Sequence, residues 1–294
     1  MNAATCKHVV VCNSLRDNRF KMKAVAPGYT ILKRYGRYKN ACWVLQHGDE
    51  AAVVETPMFT SKEKPPYERL ASYLRRRKLR LKYGLITHGH VDHCKSLPEF
   101  RINFPQTTFV THRSMVQDQH FLKIMARNRH LPLQAWNEGQ FRLFDEIFDR
   151  PLWSGTLAGE PLHIIHAPKH SYTDQLIIFR GAMITGDWYL GDLRDCNAIV
   201  QPQHKIQAID RTLGIVNSLN YKIHMMFSGH GDYLNLRADF AGIVLDVARF
   251  AYAAVPADRQ HRHRAAEIVG DEEEFARGMD TDVRRPRAAG ADGV

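Results

Sequence analysis

The chain predicts a layered α/β fold, with two sheets sandwiched between helices. Two observations carry that expectation. Short strand-like runs come first, helix–strand units follow, and strands and helices close the order. Apolar residues make up 44% of 294 residues, enough to bury a sizeable core without disulfide or metal staples.

Residues 1–27 read as a segment that belongs to the domain or leads into it. Tyr29–Leu32, Ala41–Leu45 and Ala51–Val54 are short strand-like runs separated by Gly, Asn and Asp turn signals. A helix over 66–79 follows, because Tyr67, Leu70 and Leu74 fall at i, i+3 and i+7. Its segment, Lys62–Lys82, carries nine Lys/Arg against two Glu. Such a basic outer face suits a solvated surface helix, or one that steers an anion or nucleic acid.

A strand over Tyr83–Thr87 comes next, then a helix near 95–103, a strand over Thr107–Thr111 and a helix from Ser114 to Asn128. Residues 130–160 hold Trp136, Phe141, Phe144, Phe148 and Trp153 among charges. They read either as a packed insertion or lid, or as a connecting segment with core aromatics. Strands resume at His163–Ala167, Leu176–Phe179 and Ala182–Thr185, the last two forming a hairpin over Arg180-Gly181. A helix near 203–219, a strand over 222–227 and a helix over 236–254 complete a domain spanning 28–255. Residues 256–294 are charged, rich in Arg, Ala, Gly and Asp, and read as a disordered tail.

Composition excludes several classes. Apolar content is too high for a disordered chain, and 19 Gly and 13 Pro are too few for a fibrous one. No run approaches the roughly 18 to 20 apolar residues of a membrane span, and the first twenty residues carry no signal-peptide pattern. Cys6, Cys12, Cys42, Cys94 and Cys196 are odd in number and contain no CxxC pair. A disulfide framework or thiolate zinc site is therefore not expected, and a reducing cytoplasm fits best. The net charge of 41 − 31 = +10 invites an anionic substrate or nucleic acid.

The chemistry sits at strand ends. LKYGLIT opens into His88-Gly89-His90-Val91-Asp92-His93, imidazoles and a carboxylate presented from a loop. Histidine is a common borderline ligand for zinc or iron, and aspartate adds a hard oxygen. Four such groups in six residues cannot all reach one small ion without strain, which points to two ions side by side. Three more apolar runs end the same way: IIHAPKH with His170, AMITGD with Asp187, and MMFSGHG with His230. In the last two, glycine lets the backbone turn closely past an ion.

In this order and spacing, HGHVDH, APKHSYTD, ITGDW and SGHGD resemble the metallo-β-lactamase superfamily over residues 28–250. Pro27-Gly28-Tyr29, Asn40 and AAVVETP ending at Glu55 are similar to its opening strands. The resemblance implies an αββα four-layer sandwich. It also implies that His88, His90 and His170 hold one divalent ion and Asp92, His93 and His230 a second, with Asp187 and a hydroxide bridging them. Zinc is the implied metal, and iron or manganese also suits the set.

Glu55 stands where the family has Asp, a longer brace for the ligand loop, and Lys169 stands where it has Gly. The Lys169 ammonium either lies near the ions or points to solvent. His166 precedes His170 by four residues and could lie near the site. Cys94 either approaches the second ion or packs beneath the loop.

The expected protein is a dinuclear hydrolase in which the bridging hydroxide attacks an ester, lactone or thioester carbonyl and Asp92 handles the proton. Tyr172, Trp188 and Tyr189 are the candidate substrate contacts, either as aromatics walling the pocket around a small-molecule substrate or, on the alternative reading, as residues of the core. The alternatives are a phosphodiesterase or nuclease of the same superfamily, or an iron-dependent diiron or sulfur oxygenase on the same fold.

Overall fold

A computed structural model describes residues 10–11, 23–127, 142–190, 199–219, 222–230 and 233–235. The described residues build two sheets of seven strands each. The first runs β2 (Lys23–Ala26), β3 (Tyr29–Tyr35), β4 (Asn40–His47), β5 (Glu50–Val54), β6 (Arg80–Leu85), β7 (Thr108–His112) and β8 (Glu146–Phe148). Pairing is antiparallel from β2 to β5 and parallel from β5 to β8. The second sheet contains β1 (Val10–Val11), β9 (Leu152–Leu157), β10 (Glu160–His166), β11 (Gln175–Phe179), β12 (Ala182–Gly186), β13 (Met225–Ser228) and β14 (Tyr233–Asn235). Its spatial order is β1-β14-β13-β12-β11-β10-β9, and only β12 and β13 pair in parallel.

Three apolar clusters make the four layers explicit. Between the sheets, alternate residues of both interdigitate: Tyr29, Trp43, Val54 and Leu85 from the first, Ile164, Ile177, Phe179, Ile184 and Phe227 from the second. The opposite face of the first sheet packs Leu32, Val44 and Val53 against α1 (Pro66–Arg77), α3 (Leu97–Asn103) and α5 (Gln119–Ala126) through Leu70, Leu74, Phe100, Phe121 and Met125. The outer face of the second packs Ile165, Leu176, Ile178 and Met226 against Ile209 and Val216 of α6 (Pro202–Ser218). Helices therefore flank both sheets, and the αββα sandwich is the architecture of the protein.

Several boundaries differ from the sequence expectation. The single helix over 114–128 is two, α4 (Arg113–Gln117) and α5, because Asp118 leaves the helical region and its carboxylate accepts the Phe121 N–H at 2.7 Å. The strand expected from 222 begins at Met225. Within 130–160, residues 142–160 are no lid. They form β8 and β9, with Phe144, Phe148 and Trp153 buried in the core and β9 paired with Glu160–Ile165 of β10. Trp136 and Phe141, the expected helix over 236–254 and the tail over 256–294 lie outside the described residues.

Strand direction decides where chemistry can gather. β5, β6, β12 and β13 all deliver their C-terminal ends to one edge of the sandwich, and the loops carrying Glu55, His88, Asp187 and His230 follow them directly.

Candidate metal centre

The seven expected ligands come together at that edge. His88 Nε2 lies 3.1 Å from His90 Nδ1, and His170 Nε2 lies 3.0 Å from the same atom. On the other side, His93 Nε2 is 3.4 Å from an Asp92 oxygen, and His230 Nε2 is 4.0 Å from it. Asp187 stands between the trios: Oδ1 is 3.3 Å from His93 Nε2 and 3.2 Å from His230 Nε2, and Oδ2 is 4.0 Å from His170 Nε2. Three mutually close groups result: His88, His90 and His170; Asp92, His93 and His230; and His88, His93 and Asp187.

These contacts fit a cation better than they fit each other. Ligands 2.0–2.1 Å from a tetrahedral ion sit roughly 3.3 Å apart, close to the spacing observed. His93 Nε2 and Asp187 Oδ1 are buried without a well-formed hydrogen bond, although they face one another. Orphaned buried polar atoms are costly, and a shared cation satisfies both.

The ring nitrogens are set by their outer partners. Thr87 Oγ1 donates to Glu55 Oε1 and accepts from His88 Nδ1 at 3.2 Å, which leaves the His88 Nε2 lone pair turned toward its trio. Glu55 Oε1 also accepts from His93 Nδ1 at 3.1 Å. His230 Nδ1 donates to the Tyr38 carbonyl at 2.7 Å. Glu55 performs its bracing from a backbone φ of +72° while fully buried, a strained conformation held by Glu55 N–H to Leu85 O and Thr56 N–H to His93 O.

Two glycines are sterically required. A Cβ on Gly186, whose φ is +57°, would meet Thr87 Oγ1 at 2.3 Å. One on Gly229 would meet His93 Cε1 at 2.5 Å and Asp187 Oδ1 at 3.1 Å.

The loop reading of HGHVDH holds for His88 and His90 only. Residues Val91–Cys94 form one helical turn, α2, with His90 O accepting from His93 N and Cys94 N at 3.1 and 3.2 Å. Asp92 and His93 therefore project from a helix. Cys94 packs beneath the loop, its Sγ donating to the His90 carbonyl at 3.1 Å.

Electrostatics separate the two trios. Burial, then the neighbouring imidazoles, push His88 and His90 well below the ordinary histidine value. Burial opposes protonation of His93 too, but the Asp92, Asp187 and Glu55 carboxylates outweigh it and hold it well above that value. His230 is raised against burial, mainly by Asp187. Asp187 answers both: burial would raise it, yet His93 and His230 draw it well below the carboxylate range.

Lys169 does not point to solvent. It is buried, with Nζ donating to the Trp188 carbonyl at 2.8 Å and lying over the Trp188 ring. Of the two readings of the aromatics, the core one holds for Trp188 and Tyr189. Trp188 and Tyr189 are buried in the cluster under α6, because the chain turns after Asp187 to pack on the outer face of its sheet. Tyr172 alone of the three is exposed, its hydroxyl 3.3 Å from His204 Nδ1.

His166 stays out of the seven-residue cluster. It stacks on His112 with centroids 3.6 Å apart and bonds the Tyr172 carbonyl at 2.9 Å.

Sequence reasoning missed Asp174. Its buried Oδ2 accepts the Lys169, His170 and Ser171 N–H groups at 2.7–3.0 Å and so fixes the turn that carries His170. An acidic residue closing a short polar turn after a candidate ligand was the available signal.

The family profile described as the metallo-beta-lactamase superfamily matches residues 35–184, about half of the chain. No curated protein matches it in sequence. Among solved structures, DIM-1 metallo-β-lactamase is 15% identical with a TM-score of 0.54, covering 79% of this chain and 96% of its own. A metallo-β-lactamase family protein from Thermus thermophilus is 17% identical with a TM-score of 0.53 and coverages of 79% and 81%. An archaeal superfamily protein from Sulfolobus tokodaii is 15% identical with a TM-score of 0.51 and coverages of 86% and 98%. Identities this low speak to fold alone. The family match, the shared fold and the clustered His/Asp groups agree, and the chain belongs to the metallo-β-lactamase superfamily.

Proposed function

We propose that the protein is a dinuclear metal-dependent hydrolase acting on an ester, lactone or thioester. The observation that carries this is the pair of facing trios joined through Asp187. His88, His90 and His170 would hold one ion, Asp92, His93 and His230 the other, with Asp187 between them. Two divalent ions supply a water activated near neutral pH and a Lewis acid for the substrate oxygen. Zinc fits a nitrogen-rich set of this kind, and iron or manganese fits it too.

The chain's own residues provide orientation and proton handling. Thr87, Glu55 and the Tyr38 carbonyl fix the ring orientations of His88, His93 and His230. Asp92, a part-exposed member of the second trio, would orient the attacking water and pass its proton to the leaving group. A carbonyl substrate is favoured over a phosphodiester because the one lysine adjoining a ligand, Lys169, is tied to Trp188 O. It is thus not aimed at a second substrate charge.

The test is a panel of lactones, thioesters, aryl esters and phosphodiesters with metal-loaded protein. Turnover of a carbonyl substrate, abolished in His88→Ala with the fold retained, is expected. Turnover of phosphodiesters alone, or metal-dependent oxygen uptake without hydrolysis, would replace this reading with one of its rivals.

A further inference from the structure

The far end of the first sheet carries a feature that the metal centre does not use. α1 buries Leu70, Tyr73 and Leu74 and leaves Arg75, Arg76, Arg77 and Lys78 exposed at its C-terminus. Consecutive helical positions are about 100° apart, so four such residues surround the helix end. The helix dipole offers about half a negative charge there, too little to balance Arg75, Arg77 and Lys78.

One acid at this end is already engaged. Glu50 pairs with both Arg80 and Lys82 and accepts the Ala158 N–H. Among the described residues, Arg75, Arg77 and Lys78 have no carboxylate partner; Arg77 lies over the Tyr73 ring instead.

We propose that this basic end of α1 docks the phosphate backbone of a nucleic acid, away from the metal centre. The separation follows from topology. α1 leads into β6 at Arg80, and β6 ends at Leu85, just before His88. Six strand residues at about 3.3 Å each span roughly 20 Å. A strand of phosphates supplies a dense row of charges, and neutralising several at once releases counterions. A bilayer fits less well, because the apolar residues of α1 point into the core and Leu79 is half-buried, leaving nothing to insert. The inference is independent of the reaction at the metal centre.

The experiment is an anisotropy titration of metal-loaded protein with a fluorescein-labelled single-stranded RNA across a salt series. The comparison is the variant Arg75→Glu/Arg77→Glu/Lys78→Glu. Wild type is expected to bind with affinity falling steeply in salt. At about 0.1 M salt the variant should bind at least about tenfold more weakly, with a log–log slope shallower by about 2. A Gln triple variant should fall between the two, which separates charge from any loss of fold. Hydrolysis of a small substrate should be unchanged in both, so failure here is distinguishable from failure of the hydrolase reading. No binding by wild type at low salt, equal binding by the variants, or preference for phosphatidylserine vesicles over RNA would overturn the proposal.

Discussion

The two halves of the candidate metal centre solve different problems with similar residues. Burial and the neighbouring imidazoles hold His88 and His90 well below the ordinary histidine value, so protons compete little for their lone pairs. His93 and His230 sit among carboxylates that favour the protonated rings. On the proposed reading, a cation would meet little proton competition at His88 and His90. At His93 and His230 it would have to displace protons that the carboxylates favour. The same side chain is thus made a ready or a reluctant ligand by whether carboxylates stand beside it.

Asp187 belongs to both halves, and its loss should have the largest effect. Asp187→Asn should lower kcat/KM by at least about 10³-fold, the scale of losing a group that stabilises the reacting charge, and reduce bound metal below two per chain. Kinetics and metal analysis on the same preparation check this; full activity with two ions would show that Asp187 does not join the trios.

A change weighted toward one half sharpens the contrast. Glu55→Gln should weaken the second ion by about 10–100-fold, since Glu55 accepts directly from His93, and the first ion less, because Glu55 reaches His88 only through Thr87. Competitive chelator titration reads the two sites separately. Equal weakening of both would mean that Glu55 braces the whole loop.

Acidity should divide the halves in the same direction. Because His93 and His230 are raised above the ordinary histidine value and His88 and His90 lie below it, falling pH should release the second ion first. Affinity at the second trio should drop by up to about tenfold per pH unit for each ring that must lose a proton. Metal content after dialysis at stepwise lower pH checks the order. Simultaneous loss would contradict the contrast.

The smallest effect lies just outside the centre. Burial first, then His112 and Arg211, push His166 down to about 4. As pH falls from about 6.5 toward 4 the unfolded chain gains this proton before the folded one, so stability is present above 6.5 and lost through that window. Allowing for partial solvent exposure, the loss is about 1–2 kcal/mol. Urea titrations of His166→Phe should show a flatter acid limb than wild type; an unchanged limb would exclude His166 as its source.

Much of this molecule was legible in its residues. The strands over 176–179 and 182–185 are continuous apolar runs, and both are buried throughout. Most of the candidate ligands were legible because apolar strands open into His or Asp beside glycines, and parallel strands carry those ends to one edge; His170 was legible from its place after an apolar strand and a Pro turn. β9 was less visible: Gly155 interrupts its pattern, and the reason is spatial, since a Cβ there would strike the Trp153 ring at 2.4 Å. Trp188 and Tyr189 left two readings open because adjacency to Asp187 along the chain says nothing about which face a turn presents. The role of the Tyr38 carbonyl depends on a bond formed only after distant segments meet, whereas Asp174 acts within its own turn.

The most direct measurement is the metal content per polypeptide, by mass spectrometry, of protein purified without added metal or chelator. The account predicts about two divalent ions, as the two-ion arrangement requires, and loss of about one of them in Glu55→Gln under mild chelation. Protein that holds no metal and takes up none on reconstitution would contradict it.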